Sequence, residues 1–354
     1  MSIESSQIIF QQTEQAFYHV PSLVVAPDGT VLAFCEERRG SPQDGVDECH
    51  IVLRRSFDHG KSWEPMETLR GTEGQKWHMG SAAVDEVTGL IFLMCGGGWL
   101  QSSDNGKTWQ DWKPQIMRPK DGMAGSTHGS GPGITLKYGR HKDRIVWPAR
   151  TVDKRQGYDD RRIQDRQTKC FSTVLYSDDH GETIQRSNVF LQGTGEACLV
   201  ERLNGDILLN ARAYYNDNCR YAAVSRDGGV SFEEIGPVPE LRETLQGCNA
   251  SMVRYPPEWI GGRDCILFAN PDSVQWKRFN GTLRVSWDGG GTWHLAKRVT
   301  HEDIWFGYSS MVVGHDQFIL LMHRTSPNAH LGITNGTASS SMVVVRLDFE
   351  KLMS

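Results

Sequence analysis

One eight-residue pattern, Ser-x-Asp-x-Gly-x-(Thr/Ser)-aromatic, restricts the fold of this chain more than any other feature. It runs from Ser56 to Trp63, from Ser102 to Trp109 and from Ser286 to Trp293, with looser copies from Ser177 to Ile184 and from Ser225 to Phe232. Each copy reads as a hairpin turn. The Asp carboxylate can accept backbone amides inside the turn, and the Gly takes a positive φ. The Ser or Thr hydroxyl adds a local bond, and the aromatic residue packs beneath. These residues are turn staples, not catalytic groups. A β-rich segment precedes the copies, as in His50–Arg55 and Gly281–Ser286.

Five copies at spacings of 46, 75, 48 and 61 residues mark a repeat built from short strands, the signature of a β-propeller. Strand-like runs fill the intervals, among them Ser22–Ala26, Val31–Phe34, Leu90–Met94, Arg144–Trp147, Ile207–Asn210, Cys265–Phe268, Phe318–Met322 and Ser341–Arg346. No long amphipathic helix is evident. Dividing 354 residues by six gives 59 per unit, which suits four strands and their loops. The predicted fold is therefore all-β: one six-bladed propeller of four-stranded antiparallel blades over residues 1–354. The polar stretch Asp153–Gln167 reads as a solvated loop.

Composition agrees with a packed core of large aromatics joined by tight turns, with 37 Gly and 11 Trp. A net charge of −5 argues against a nucleic-acid partner. No apolar run approaches the roughly 18 residues needed to span a bilayer. No basic-then-apolar leader is visible, so a cytoplasmic protein without a membrane partner is expected. The eight cysteines stand singly, without CxxC, and read as buried free thiols. Three Asn-x-Ser/Thr sequons, at Asn249, Asn280 and Asn335, read as chance matches.

Boxes of this kind resemble those of the sialidase (neuraminidase) superfamily, and other segments match that family in order along nearly the whole chain. Tyr18-His19-Val20-Pro21 and Leu32–Arg38 resemble its opening motifs, and Gly131-Pro132-Gly133 with Arg144–Pro148 its central blade. Gly195-Glu196-Ala197-Cys198 resembles the catalytic-Glu segment, Leu209–Arg212 that of the second arginine, and Lys277–Asn280 that of the third. Gln246-Gly247-Cys248 also matches, and Gly307-Tyr308-Ser309 resembles the nucleophile segment. The resemblance implies a retaining exo-glycosidase acting on a glycan or glycoconjugate, without cofactor or metal. Tyr308 would be the nucleophile and Glu196 its base, while Arg212 and Arg278 would grip the substrate acid. A sialoside bears a carboxylate on its anomeric carbon, so a neutral phenol suits that attack better than a second carboxylate. Tyrosine nucleophiles are the sialidase exception among retaining glycosidases. The acid/base would come from the acidic loop Ser41–Glu48, with Asp44 the better fit by distance and Asp47 the other choice. Glu36 and Arg38 lie on the predicted rim, and His128 on the approach to Gly131.

The sequence departs from the family at one place. The position of the first arginine is His19, and the position of the Glu that orients it is His323, in Leu321-Met322-His323. Two readings stay open. His19 contacts a substrate carboxylate, either protonated or through one neutral N–H, or the sugar has changed. A metal held by His19 and His323 lacks a third ligand in the sequence. A glycosidase for a non-sialic sugar and a silent carbohydrate-binding propeller are the rival functions.

Overall fold

The computed structural model describes residues 2–96, 98–117, 119–124, 131–155, 157–302, 304–325 and 340–354; His128 lies outside them. Six sheets follow one another around an axis. The first blade takes Ala16–Val25, Val31–Arg39, Cys49–Ser56 and Glu67–Arg70, and the second His78–Val84, Ile91–Gly96, Trp99–Ser102 and Gln110–Trp112. The third is built on Ile134–Thr135, Ile145–Val152, Cys170–Ser177 and Thr183–Arg186. The fourth takes Thr194–Glu201, Ile207–Ala213, Cys219–Ser225 and Glu233–Arg242, and the fifth Ser251–Arg254, Ile266–Pro271, Gly281–Ser286 and His294–Arg298. The sixth pairs Gly307–Val313, Ile319–Thr325 and Ser341–Leu347 with the N-terminal strand Ile3–Phe10, which closes the ring.

The third blade exceeds the predicted four strands. Gln115–Met117, leaving the second blade, pairs parallel to the outer strand Thr183–Arg186, and Phe190–Gln192 pairs with Cys170–Ser177. The stretch Asp153–Gln167 also differs from a plain solvated loop. It runs into a helix, Ile163–Lys169, and Asp160 turns inward to Arg150 and Arg166.

The five boxes explain why six blades carry five copies. Each joins the third and fourth strands of its blade. In the sixth blade the fourth strand comes from the other end of the chain, so no such hairpin exists. The bonding is the same in all five. In the first, Ser56 Oγ donates to Asp58 Oδ1 (2.8 Å) and accepts Gly60 N (2.7 Å), while Ser62 N and Oγ both donate to the Asp58 carboxylate. The box glycine also wedges against the preceding blade. A Cβ on Gly60, at φ +84°, would lie 2.6 Å from Leu320, and one on Gly290 2.3 Å from Leu208. Apolar clusters fill each seam between neighbouring blades, for example Leu32, Phe34 and Leu53 against Ala82, Ile91 and Leu93. The core is thus a ring of interfaces, and burying these side chains is its main stabilisation. All eight cysteines are free and buried. No helix of the described residues is long and apolar enough to cross a membrane.

Candidate active site

The antiparallel pleat brings the start of each first strand beside the end of the second, at the end of the ring opposite the boxes. Three blades use this corner alike. The first contributes His19 and Arg38, the fourth Glu196 and Arg212, and the sixth Tyr308 and Arg324. The first strands of these blades bulge there, between His19 and Ser22, Thr194 and Ala197, and Gly307 and Ser309. A bulge breaks the two-residue alternation and re-aims a side chain. Tyr308 sits at φ +50° and Val20 at φ +51°, a left-handed conformation uncommon for bulky residues and concentrated at functional sites. Gly195 permits the neighbouring bulge, since a Cβ there would lie 2.1 Å from the Tyr214 hydroxyl.

Tyr308 and Glu196, from blades on different sides of the ring, are joined by a short hydrogen bond from the phenol to Oε1. Arg212 Nη1 donates to both partners, 2.6 Å to Glu196 Oε2 and 3.1 Å to the Tyr308 hydroxyl. Arg212 Nε is anchored on the Gln246 carbonyl at 2.9 Å. Burial alone would raise the Glu196 pKa. The Arg212 charge, the bonds from Tyr308 and Arg212, and the Arg150 charge outweigh it and bring it to about 2. The Tyr308 phenol is pushed far up, by burial and then by the Glu196 charge. The proton therefore rests on the tyrosine, aimed at an ionised carboxylate.

Arg278 stands on the loop before Gly281–Ser286, with its guanidinium over the Tyr308 ring at 5.2 Å. Arg38 Nη1 donates to Asp44 Oδ1 at 2.7 Å, and Arg38 Nη2 lies 2.8 Å from Glu36 Oε2. Burial raises the Glu36 pKa, but Arg38, His78 and the Met79 amide overcome it and hold it at about 2. The acidic loop divides in two. Both aspartates are exposed, but Asp44 leans on Arg38 near enough to Tyr308 for its charge to act there, whereas Asp47 pairs with Lys76 at 3.0 Å. Ligand atoms of Glu36, Cys49 and His78 lie within 4.8 Å of one another, but Arg38 already answers the Glu36 charge.

The two histidines do not form the pair that sequence order suggests. His323 is buried, stacked on Phe306 at 4.3 Å, with Nδ1 3.1 Å from the Arg324 carbonyl. Burial pushes its pKa down to about 4, so it is neutral. The residue facing His19 is Arg324, one position further on, with Nη1 3.3 Å from His19 Nδ1. Successive residues of a strand point to opposite faces, so one position exchanges a core side chain for a site side chain. Sequence reasoning passed over Arg324; the signal was the arginine beside the aligned histidine. It also passed over Arg220 and Glu243. That buried pair, 2.6 Å apart, holds the Cys248 backbone, and the Cys248 Sγ accepts the Tyr308 amide at 3.4 Å.

Residues 20–317 match the family model described as a BNR repeat-like domain. A sialidase of Micromonospora viridifaciens is 29% identical over 312 residues, 79% of this chain and 46% of that protein. Sialidase-3 of Bos taurus is 27% identical over 332 residues, 81% of this chain and 76% of that protein. The chain thus spans about half the length of the first of these relatives. Among solved structures, the Hadza microbial sialidase Hz136 superposes with a TM-score of 0.74 at 25% identity, covering 95% of this chain and 66% of that one. The intramolecular trans-sialidase of Ruminococcus gnavus gives 0.77 at 15% identity, covering 100% and 99%, a likeness of fold. The chain belongs to the BNR repeat-like family, within the sialidase superfamily.

Proposed function

We propose that this protein is an exo-sialidase-like retaining glycoside hydrolase that removes a terminal sialic or related ulosonic acid from glycans. The observation that carries this reading is the Tyr308–Glu196 hydrogen bond with Arg212 on both partners. A phenol pressed against a carboxylate, in a cleft of guanidiniums, has the parts of a neutral nucleophile with its own base. In the first step the Tyr308 oxygen bonds to the anomeric carbon while its proton passes to Glu196. The bond to the leaving oxygen breaks as Asp44 protonates it. In the second step Asp44 takes a proton from water, water bonds to the anomeric carbon, and Tyr308 leaves with the proton returned by Glu196. Free Glu196 is a weak base because Arg212 holds its charge. A substrate carboxylate competing for Arg212 would relieve that hold and make Glu196 a better base at the moment of attack.

Incubation with 2,3-difluorosialic acid, followed by peptide mass spectrometry, tests the assignment. A glycosyl adduct on Tyr308, with aryl α-sialoside turnover abolished by Tyr308→Phe, is the expected result. Turnover that survives Tyr308→Phe would overturn the nucleophile. Binding without turnover across aryl ulosonides and other aryl glycosides would make the protein a lectin.

A further inference from the structure

Gln246-Gly247-Cys248 supplies no reacting group to the proposed hydrolysis, yet it lies against both members of the reacting pair. Tyr308 is the bulged residue of its strand. Gly307 faces Arg324 and Ser309 faces His323, which leaves Tyr308 without a partner across the ladder. The strand Gly307–Val313 is also an edge strand of the sixth sheet, so amides on its open side need acceptors from elsewhere. The segment between the fourth and fifth blades provides them. Cys248 Sγ accepts the Tyr308 amide at 3.4 Å, and Asn249 Oδ1 accepts the Ser309 amide at 2.9 Å. Both side chains are fully buried. A left-handed φ at a bulky residue persists only where its surroundings over-determine it, and these two bonds fix the peptide groups on either side of Tyr308.

The same segment holds the other side of the pair. Gln246, at φ +58°, turns its carbonyl onto Arg212 Nε at 2.9 Å. Gly247 follows at φ +66°, and a Cβ there would lie 2.5 Å from Arg212 Cγ and 2.7 Å from both the Ala213 carbonyl oxygen and Glu243 Oε2. Glycine therefore lets the Arg212 stem lie against this turn. The turn is itself anchored: Glu243 Oε1 accepts the Cys248 amide at 3.0 Å, and Arg220 Nη1 donates to the Cys248 carbonyl at 2.5 Å. Arg212 from the fourth blade and Tyr308 from the sixth are thus registered to one short, buried stretch of chain.

We propose that Gln246–Asn249 is the positioning segment of the reacting pair, with Cys248 and Asn249 as positioning residues for the Tyr308 phenol and the Gln246 carbonyl as the stop for Arg212. Cys248 and Asn249 act through the Tyr308 backbone, by fixing where the phenol oxygen stands relative to Glu196 and to the anomeric carbon. Small displacements of a reacting group cost far more in rate than in binding. Bond formation at Tyr308 therefore depends on Cys248 and Asn249 more than ligand affinity does. The proposal rests on the sialidase-like reading, in which Tyr308 is the nucleophile.

The rate constant for inactivation by saturating 2,3-difluorosialic acid, read from the growth of the Tyr308 adduct with time, tests it. The final yield of adduct counts folded molecules, whereas the rate constant reports the geometry within them. Cys248→Ala and Asn249→Ala should each lower the rate constant about 10- to 100-fold, with affinity for 2,3-didehydro-2-deoxy-sialic acid held within about 3-fold. Either position alone suffices for the comparison. Cys248→Ser, which restores an acceptor, should recover most of the loss seen in Cys248→Ala. Unchanged rate constants in the alanine variants, with only the yield reduced, would make the segment structural and overturn the proposal while the nucleophile stands. Equal falls in rate constant and affinity would also overturn it, because the segment would then shape ligand binding. No adduct on Tyr308 in the unaltered protein overturns it together with the sialidase reading.

Discussion

Arg220 and Glu243 form an ion pair at 2.6 Å with side chains 0% and 1% exposed, directly behind the candidate active site. Arg220 also donates to the Asn210 side chain and to the Cys248 carbonyl, while Glu243 accepts the Cys248 amide. The pair ties the Gln246–Cys248 turn, on which Arg212 and Tyr308 rest, to the fourth blade.

Breaking this pair on one side leaves a buried charge unmatched. Glu243→Ala should cost about 3–5 kcal/mol in denaturant unfolding. Replacing both members together, Arg220→Met with Glu243→Leu, should recover most of that loss. Equal stability of the single and double variants would show that the charge left behind is not the cause.

The box aspartates couple stability to acid. Asp58, Asp104 and Asp288 each have a pKa near 2, against about 3.9 for the unfolded chain. Hydrogen bonds inside the turn lower it, outweighing a burial effect that raises it and is the largest single contribution at Asp58 and Asp288. A depressed folded value means the stabilisation is complete above about pH 4 and is lost as pH falls toward 2. Acid unfolding should therefore steepen below pH 4. Asp288→Asn should flatten that part of the curve and cost roughly 1–2 kcal/mol at pH 7. An unaltered acid limb would remove the boxes as its source.

His19→Arg by itself should bind 2,3-didehydro-2-deoxy-sialic acid no better than the unaltered protein, and more weakly by roughly 10-fold. The new guanidinium would face Arg324 with Arg38 and Arg278 close by, and like charges in a buried site repel strongly. His19→Arg combined with Arg324→Glu should restore binding, by returning the guanidinium to the first blade with an acid to hold it. A single His19→Arg variant that binds more tightly would contradict this repulsion.

Asp44 and Asp47 should separate by leaving group. Asp44→Asn should lower kcat about 100- to 10,000-fold on glycosides with poor leaving groups and much less on activated aryl glycosides, the pattern of a lost general acid. Asp47→Asn, at the residue paired with Lys76, should remain within about 2-fold. Equal losses in the two variants would remove Asp44 from this role.

The sequence by itself determined the parts held by short-range bonds. Each box closes within eight residues, so Ser56–Trp63 and its sister copies were legible as turns, and their spacing as a propeller. The order of motifs also marks Tyr308, Glu196, Arg212, Arg278 and Asp44 as candidates, and the structure brings the first four together. Only the tertiary structure decided which side chains face the cleft. The bulges at His19, Glu196 and Tyr308 set strand register, and one residue of register decides between His323 in the core and Arg324 in the site. The Arg220–Glu243 pair, 23 residues apart, and the His19–Arg324 pair, 305 apart, carry no local periodicity. The His19–Arg324 contact arises only when the ring closes, because the sixth blade meets the first and is completed by a strand from the opposite end of the chain.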